Sequence, residues 1–219
     1  MESSELRIVS VVSSPFEENT YIAHIEGKSD CLVIDPGLEP EKILHYLDEH
    51  GLTPAAILNT HGHSDHIGGN EALKRRWPDC PLVVGAGDAD KLTDARRNLS
   101  ADFGMPVVSP PADVTLADGE LYAAAGFELE TRDVPGHTPG HVVYLCRGHN
   151  PAIVFVGDVI FAGSIGRTDF PGGDFRQLLE GIRSRLFDLP DDTVLLSGHG
   201  PPTTVGEEKR TNPFVRISG

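Results

Sequence analysis

"NTHGHSDHIGG" occupies residues 59–69 and sets His61, His63, Asp65 and His66 within six positions, directly after the apolar run "AAIL" at 55–58. A surface turn has no need of four metal-ligand side chains. His61 and His63 flank Gly62, so from an extended stretch both rings reach one point. Asp65 and His66 are adjacent where the helix-like "IGGNEALKRRW" begins, leave the backbone in different directions, and suit a second point.

The same outline recurs along the chain. "LETRDVPGH" ends at His137, "AIVFVGD" at Asp158 and "TVLLSGH" at His199, each an apolar run followed by glycine and a ligand-type side chain. Strand ends aligned at one rim of a sheet would bring His61, His63, Asp65, His66, His137, Asp158 and His199 together. A structural zinc takes four ligands and a catalytic one three plus water, so seven with a bridging carboxylate divide between two ions. Imidazole and carboxylate accept zinc foremost here, with iron and manganese open to the same donors. His24, His45, His50 and His149 stand alone in strand, helix or loop contexts, and His141 in "GHTPGH" reads as a turn or supporting residue.

Around these motifs the chain alternates short β-like runs, "LRIVSVV", "NTYIAHI", "DCLVIDPG", "AAILNT", "PLVVG", "FELETRDVPG", "HVVYLC", "AIVFVGD" and "TVLLSGHG", with amphipathic segments. In "FRQLLEGIRSRLF", Phe175, Leu178, Leu179, Ile182 and Leu186 fall on one helical face. "EKILHYLDEH" and "NEALKRRW" are shorter helices, and "ARRNLSADFG" is expected as a helix near the site. Sheets packed on each other with helices outside follow from this order, in one domain over residues 1–219.

Charge and composition narrow the partners. Lys and Arg number 18 against 33 Asp and Glu, a formal net charge of −15 that repels phosphate backbones, so nucleic acid is not expected. No apolar stretch approaches the roughly 20 residues of a membrane span, and the acidic N-terminal segment lacks a basic leader. A cytoplasmic protein without a membrane partner is the expectation, its oligomeric state open. Cys31, Cys80 and Cys146 are widely spaced in or beside apolar stretches and read as buried thiols.

"THGHSDHIGG", "GHTPGH", "FVGD" and "SGHG", in this order, resemble the metal motifs of the metallo-β-lactamase superfamily. "GDVIFAGSIGRTDFPGGD" and "GHGPPTTVGEEKRTNPF" are similar to its short glyoxalase II-like (hydroxyacylglutathione hydrolase-like) bacterial hydrolases. The resemblance implies an α/β fold, a four-layer αββα sandwich with the site along one edge of the paired sheets. It implies His61, His63 and His137 on one metal, Asp65, His66 and His199 on the second, and Asp158 bridging, with Asp65 and Asp158 as the catalytic carboxylates.

The chemistry expected of such a centre is hydrolysis of a thioester such as S-lactoylglutathione or a related acyl-thiol. Two cations sharing a water bring its pKa from about 15.7 toward neutrality, and the hydroxide so formed attacks the carbonyl. A thiol leaves as thiolate from a pKa near 8.5 without a general acid, whereas an amide nitrogen must be protonated. The longer glyoxalase II enzymes use a C-terminal helical region to supply basic residues for glutathione. This chain ends six residues after Pro213, which leaves Lys209 and Arg210 as candidates for the substrate carboxylates. Arg167 and Asp169 in "GSIGRTD" read either as partners that orient ligands or as a loop ion pair.

Two further readings compete. Persulfide dioxygenases resemble the chain in the same motifs, including "GRTD", with one iron on the counterparts of His61, His137 and Asp158. A non-enzymatic module with metals stapling loops does not call for seven ligands. Lactam hydrolysis is disfavoured, since zinc lactamases often carry Cys where Asp158 stands, and RNA processing is disfavoured by the acidic charge.

Overall fold

The computed structural model describes residues 5–216 of the chain. Two six-stranded sheets form its centre. The first joins β1 (Leu6–Ser13), β2 (Glu18–Ile25), β3 (Asp30–Ile34), β4 (Thr53–Asn59), β5 (Leu82–Gly85) and β6 (Val114–Leu116) in sequence order. Its first three strands are antiparallel, and pairing turns parallel from β3 onward. Parallel strands covered on both faces are apolar throughout, which is why "AAIL" in β4 shows no alternation.

The second sheet comprises β7 (Leu121–Ala124), β8 (Phe127–Asp133), β9 (Val142–Cys146), β10 (Ile153–Gly157), β13 (Val194–Ser197) and β14 (Thr203–Thr204), in the spatial order β14-β13-β10-β9-β8-β7. A two-stranded ribbon, β11 (Ile160–Phe161) with β12 (Ser164–Ile165), follows β10. Between the sheets, Leu32, Ile34, Ala56 and Leu58 meet Leu129, Val142, Tyr144 and Phe155. Outside the first sheet, α1 (Pro40–Glu49) buries Ile43 and Leu47, and α3 (Asn70–Arg76) buries Leu73. Outside the second, α4 (Phe175–Gly181) and the π-helical turn Ile182–Leu186 bury Leu178, Ile182 and Leu186. Helix, sheet, sheet and helix make four layers, as the sequence implies.

The expected strands and amphipathic helices are present, with local differences. "FRQLLEGIRSRLF" changes from α to π winding at Ile182, where Phe187 donates its N–H to the Ile182 carbonyl at 3.0 Å. "ARRNLSADFG" is a run of turns instead of the expected helix. Asp94 Oδ1 accepts the N–H of Arg96 at 2.9 Å, Asn98 Oδ1 accepts that of Ser100 at 3.1 Å, and Leu99 has φ of 69°. Side-chain acceptors that satisfy nearby backbone donors favour turns over helix, and a left-handed residue ends helical winding. The short strands β6, β7, β11, β12 and β14 carry too few residues for a period to show.

All three cysteines are free and buried, Cys31 and Cys80 beneath the first helical layer and Cys146 between the sheets. Burial pushes their thiols up, to about 12 for Cys31 and about 11 for Cys80 and Cys146. Among the described residues no helix is long and apolar enough to cross a membrane.

Candidate metal centre

Every candidate ligand sits just beyond a strand. His61 and His63 follow β4, Asp65 and His66 lie on the single helical turn α2 (Ser64–Ile67), His137 follows β8, Asp158 follows β10, and His199 follows β13. Two glycines make the approach feasible. Gly157 takes φ of +48° to turn the chain at Asp158, and a Cβ on Gly198 would stand 2.5 Å from both Asp158 Oδ1 and His66 Cε1. The recurrent apolar-Gly-ligand pattern is thus the sign of backbones crowding one centre.

Three groups of ligand atoms lie within 4.8 Å of one another, namely His61, His63 and His137; His61, His66 and Asp158; and Asp65, His66 and His199. His63 Nδ1 is 3.1 Å from His61 Nε2 and 2.9 Å from His137 Nε2. His137 Nδ1–H donates to the Arg167 carbonyl at 2.8 Å, which turns Nε2 inward. His199 repeats the device, donating from Nδ1 to the Phe16 carbonyl at 3.0 Å while Nε2 faces Asp65 Oδ2 at 3.4 Å. Asp158 stands between the groups, Oδ1 3.3 Å from His66 Nε2 and Oδ2 3.5 Å from His137 Nε2 and 3.6 Å from His199 Nε2.

The donors fit divalent cations. His66 Nε2 and Asp158 Oδ1 are buried and face each other at 3.3 Å without a well-formed hydrogen bond to any group, an arrangement that a cation held by both would satisfy. Burial and the neighbouring His66 hold His61 well below the ordinary histidine range, and burial with His137 brings His63 down to about 3, so both are neutral donors. His66 goes the other way. Burial disfavours its charge, but Asp158 and Asp65 outweigh it and raise the pKa well above normal. Burial likewise works against the Asp158 and Asp65 carboxylates, yet His66 above all keeps both below their usual range.

Supporting residues complete the site. Asp35 accepts the N–H and the hydroxyl of Thr60, each at 2.7 Å, and its Oδ2 lies 3.1 Å from His66 Nδ1. Buried Asp88 accepts from Gly62 N at 2.9 Å, Thr138 Oγ1 at 2.7 Å and Gly140 N at 3.0 Å, tying the His61–His63 loop to the loop of His137. Sequence reasoning missed both. "DCLVIDPG" carries the strand-end signal for Asp35, whereas Asp88 sits in a 3-10 turn, Ala86–Lys91, without a pattern. His141 is a supporting residue, buried and neutral, its Nε2 accepting the Asp158 N–H at 3.1 Å.

Arg167 and Asp169 form an exposed two-pronged pair, both contacts at 2.7 Å, and Arg167 lies 3.8 Å over the Phe170 ring. Its contribution to His137 comes through the backbone carbonyl. Lys209 and Arg210 are elsewhere. They lie on α5 (Val205–Thr211), where Lys209 pairs with Asp191 at 2.7 Å and Arg210 with Glu207 at 3.0 Å, and neither lines the cavity above the cluster. That cavity, of about 360 Å³, is walled by Phe16, Leu99, Phe103, Phe161, Ile165 and Phe170.

Comparison with known proteins agrees with this geometry. The pattern of the Metallo-beta-lactamase superfamily matches residues 15–199. The chain is 43% identical to the probable metallo-hydrolase YqgX of Bacillus subtilis, over 92% of this chain and 93% of the relative. It is 36% identical to the hydroxyacylglutathione hydrolase GloC of Haemophilus influenzae, over 96% and 98%. Among solved structures, BLEG-1 B3 metallo-β-lactamase superposes with a TM-score of 0.90 at 35% identity, over 95% of this chain and 99% of that one. TTHA1623 in a di-iron-bound form gives 0.80 at 38%, over 94% and 99%. ETHE1 from Myxococcus xanthus gives 0.78 at 28%, over 95% and 84%. With a family pattern spanning most of its length and relatives aligned end to end, the chain belongs to the metallo-β-lactamase superfamily of metal-binding hydrolases.

Proposed function

We propose that the chain hydrolyses acyl-thiol esters, S-lactoylglutathione or a related compound, at a centre of two divalent ions. One observation carries this reading. Of the titratable residues lining the cavity, all belong to the ligand cluster except Arg167, which is already paired with Asp169 and does not give up its proton. A leaving group that must be protonated therefore finds no dedicated acid, while a thiolate needs none.

Divalent cations held here would acidify a water and polarise the substrate carbonyl. His61, His63 and His137 would hold one, Asp65, His66 and His199 the other, and Asp158 would serve both. The residues of the chain do the rest. The Arg167 and Phe16 carbonyls fix the tautomers of His137 and His199, and the aromatic side chains line the approach to the cluster. The likeness to the GloC hydrolase supports the substrate class.

A second reading, a one-iron dioxygenase acting on glutathione persulfide, is favoured by the presence of His61, His137 and Asp158 together and by the likeness to ETHE1. The test is elemental analysis of the purified protein with three assays, S-lactoylglutathione hydrolysis, oxygen uptake on glutathione persulfide, and opening of a β-lactam, the last prompted by the BLEG-1 likeness. Two metal ions per chain and thioester hydrolysis alone are expected. Iron-dependent oxygen uptake without hydrolysis would decide for the second reading.

A further inference from the structure

A second cavity, of about 280 Å³, adjoins the first and shares Phe16, Ser64 and Phe103 with it. The Phe16 and Phe103 rings meet edge to face, their centroids 5.8 Å apart, and so form the partition. Beyond them the lining is Ser14, Pro15, Leu38, Ser100, Met105 and Val107, without one charged side chain. Phe16, Phe103 and Met105 are 36%, 50% and 51% exposed and stand together around this cavity. The partition is therefore built from side chains with room to move, on turns outside the sheets.

We infer that the two cavities form one channel for an apolar acyl chain, which runs from the ligand cluster past Phe16 and Phe103 to Met105 and Val107. This rests on the thioester reading and names the substrate class within it. An ester has two arms, and the thiols that carry acyl groups in cells are charged. A charge does not enter an uncharged apolar cavity without a partner, so the arm that occupies the second cavity is the acyl chain. In the first cavity the one cation outside the ligand cluster is committed to Asp169, so affinity comes from apolar burial more than from ion pairing.

The experiment uses zinc-loaded protein and unbranched acyl glutathione thioesters from two to ten carbons, with matching ketones in which methylene replaces sulfur. Calorimetry on the inert ketones reads binding, and hydrolysis of the thioesters reads turnover. Affinity should rise up to about fourfold per added methylene, the equivalent of roughly 0.8 kcal/mol per buried CH₂. Met105→Trp, which fills the second cavity from an exposed position, should flatten the rise for the longer chains and leave the two-carbon ketone within about twofold. Equal affinity across the wild-type series, or an unaltered rise in Met105→Trp, overturns the channel even if every thioester is hydrolysed. A chain-length rise on the ketones without turnover of any thioester upholds the channel and removes the thioesterase reading.

Discussion

Asp158 donates its backbone N–H to Nε2 of His141 across 3.1 Å. The bond makes Nε2 the acceptor and leaves the proton on Nδ1, while the ring lies nearly parallel to that of His61, their centroids 4.6 Å apart. His141 thus anchors the turn that presents the central carboxylate. His141→Ala is expected to weaken metal binding about 10- to 100-fold without changing the number of ions held, and His141→Gln, whose carbonyl can take the same N–H, to recover part of that. Competition against a chromophoric chelator measures both.

Asp158 itself approaches His66, His137 and His199 together. Asp158→Ala should therefore lose metal from both groups and nearly all hydrolysis. Elemental analysis after dialysis checks it; a variant that keeps two ions and ordinary turnover would show that the groups do not share this carboxylate.

Asp88 is the sole acceptor for three donors from two different ligand loops. Asp88→Ala strands the buried Gly62 N–H and the part-buried Gly140 N–H, and bonds to a charged acceptor are worth about 1.5–3 kcal/mol each, so a loss on the order of 4 kcal/mol is expected. For a chain of this length that is a fall in Tm of roughly 10 °C. Differential scanning calorimetry of wild type and variant reads it directly.

Acid and base should each destabilise protein stripped of metal by a chelator, through different groups. His61, His63 and His141 stay neutral when folded, while the unfolded chain protonates them near pH 6.5, so their contribution falls as pH drops, for His63 from about 6.5 down to about 3. His66 and His199 have raised folded values, so their contribution is complete below about pH 6.5 and is lost as pH rises through those values. Asp65 and Asp158 add stability above about pH 4 that acid removes. Buried Glu18, raised well above the usual carboxylate range, loses its contribution as pH rises past about 4.5. The Tm of the stripped protein is thus expected to pass through a maximum and to fall on both sides of it, and a Tm that changes in one direction only between about pH 4 and pH 9 would contradict the assignment.

Lys209 and Arg210 are bound to Asp191 and Glu207 on a helix that does not reach the cavity. The double replacement by alanine is expected to leave KM for glutathione thioesters unchanged and to cost less than about 1 kcal/mol of stability, the ordinary worth of exposed pairs. A tenfold rise in KM would return these residues to the substrate site.

The sequence by itself determined the layers and the candidate ligands that come together. Apolar runs ending in glycine and a ligand read the same in one dimension as in three, because a strand end fixes where its next side chain can go. "NTHGHSDHIGG", His137, Asp158 and His199 were legible for that reason. Asp35 was half-legible by the same pattern. Only the tertiary structure decided the rest. Asp88 acts through contacts with Gly62, Thr138 and Gly140, up to 52 residues away, and no local period records such a contact. Turns replaced the helix expected at "ARRNLSADFG" because Asp94 and Asn98 satisfy local backbone donors, and those turns supply Phe103 to the cavity wall. Lys209 and Arg210 carry the right charge for a substrate carboxylate, yet charge on its own says nothing of direction. Their place was set by the packing of α5, where Val205 is buried against the second sheet and the basic side chains are left to neighbouring carboxylates.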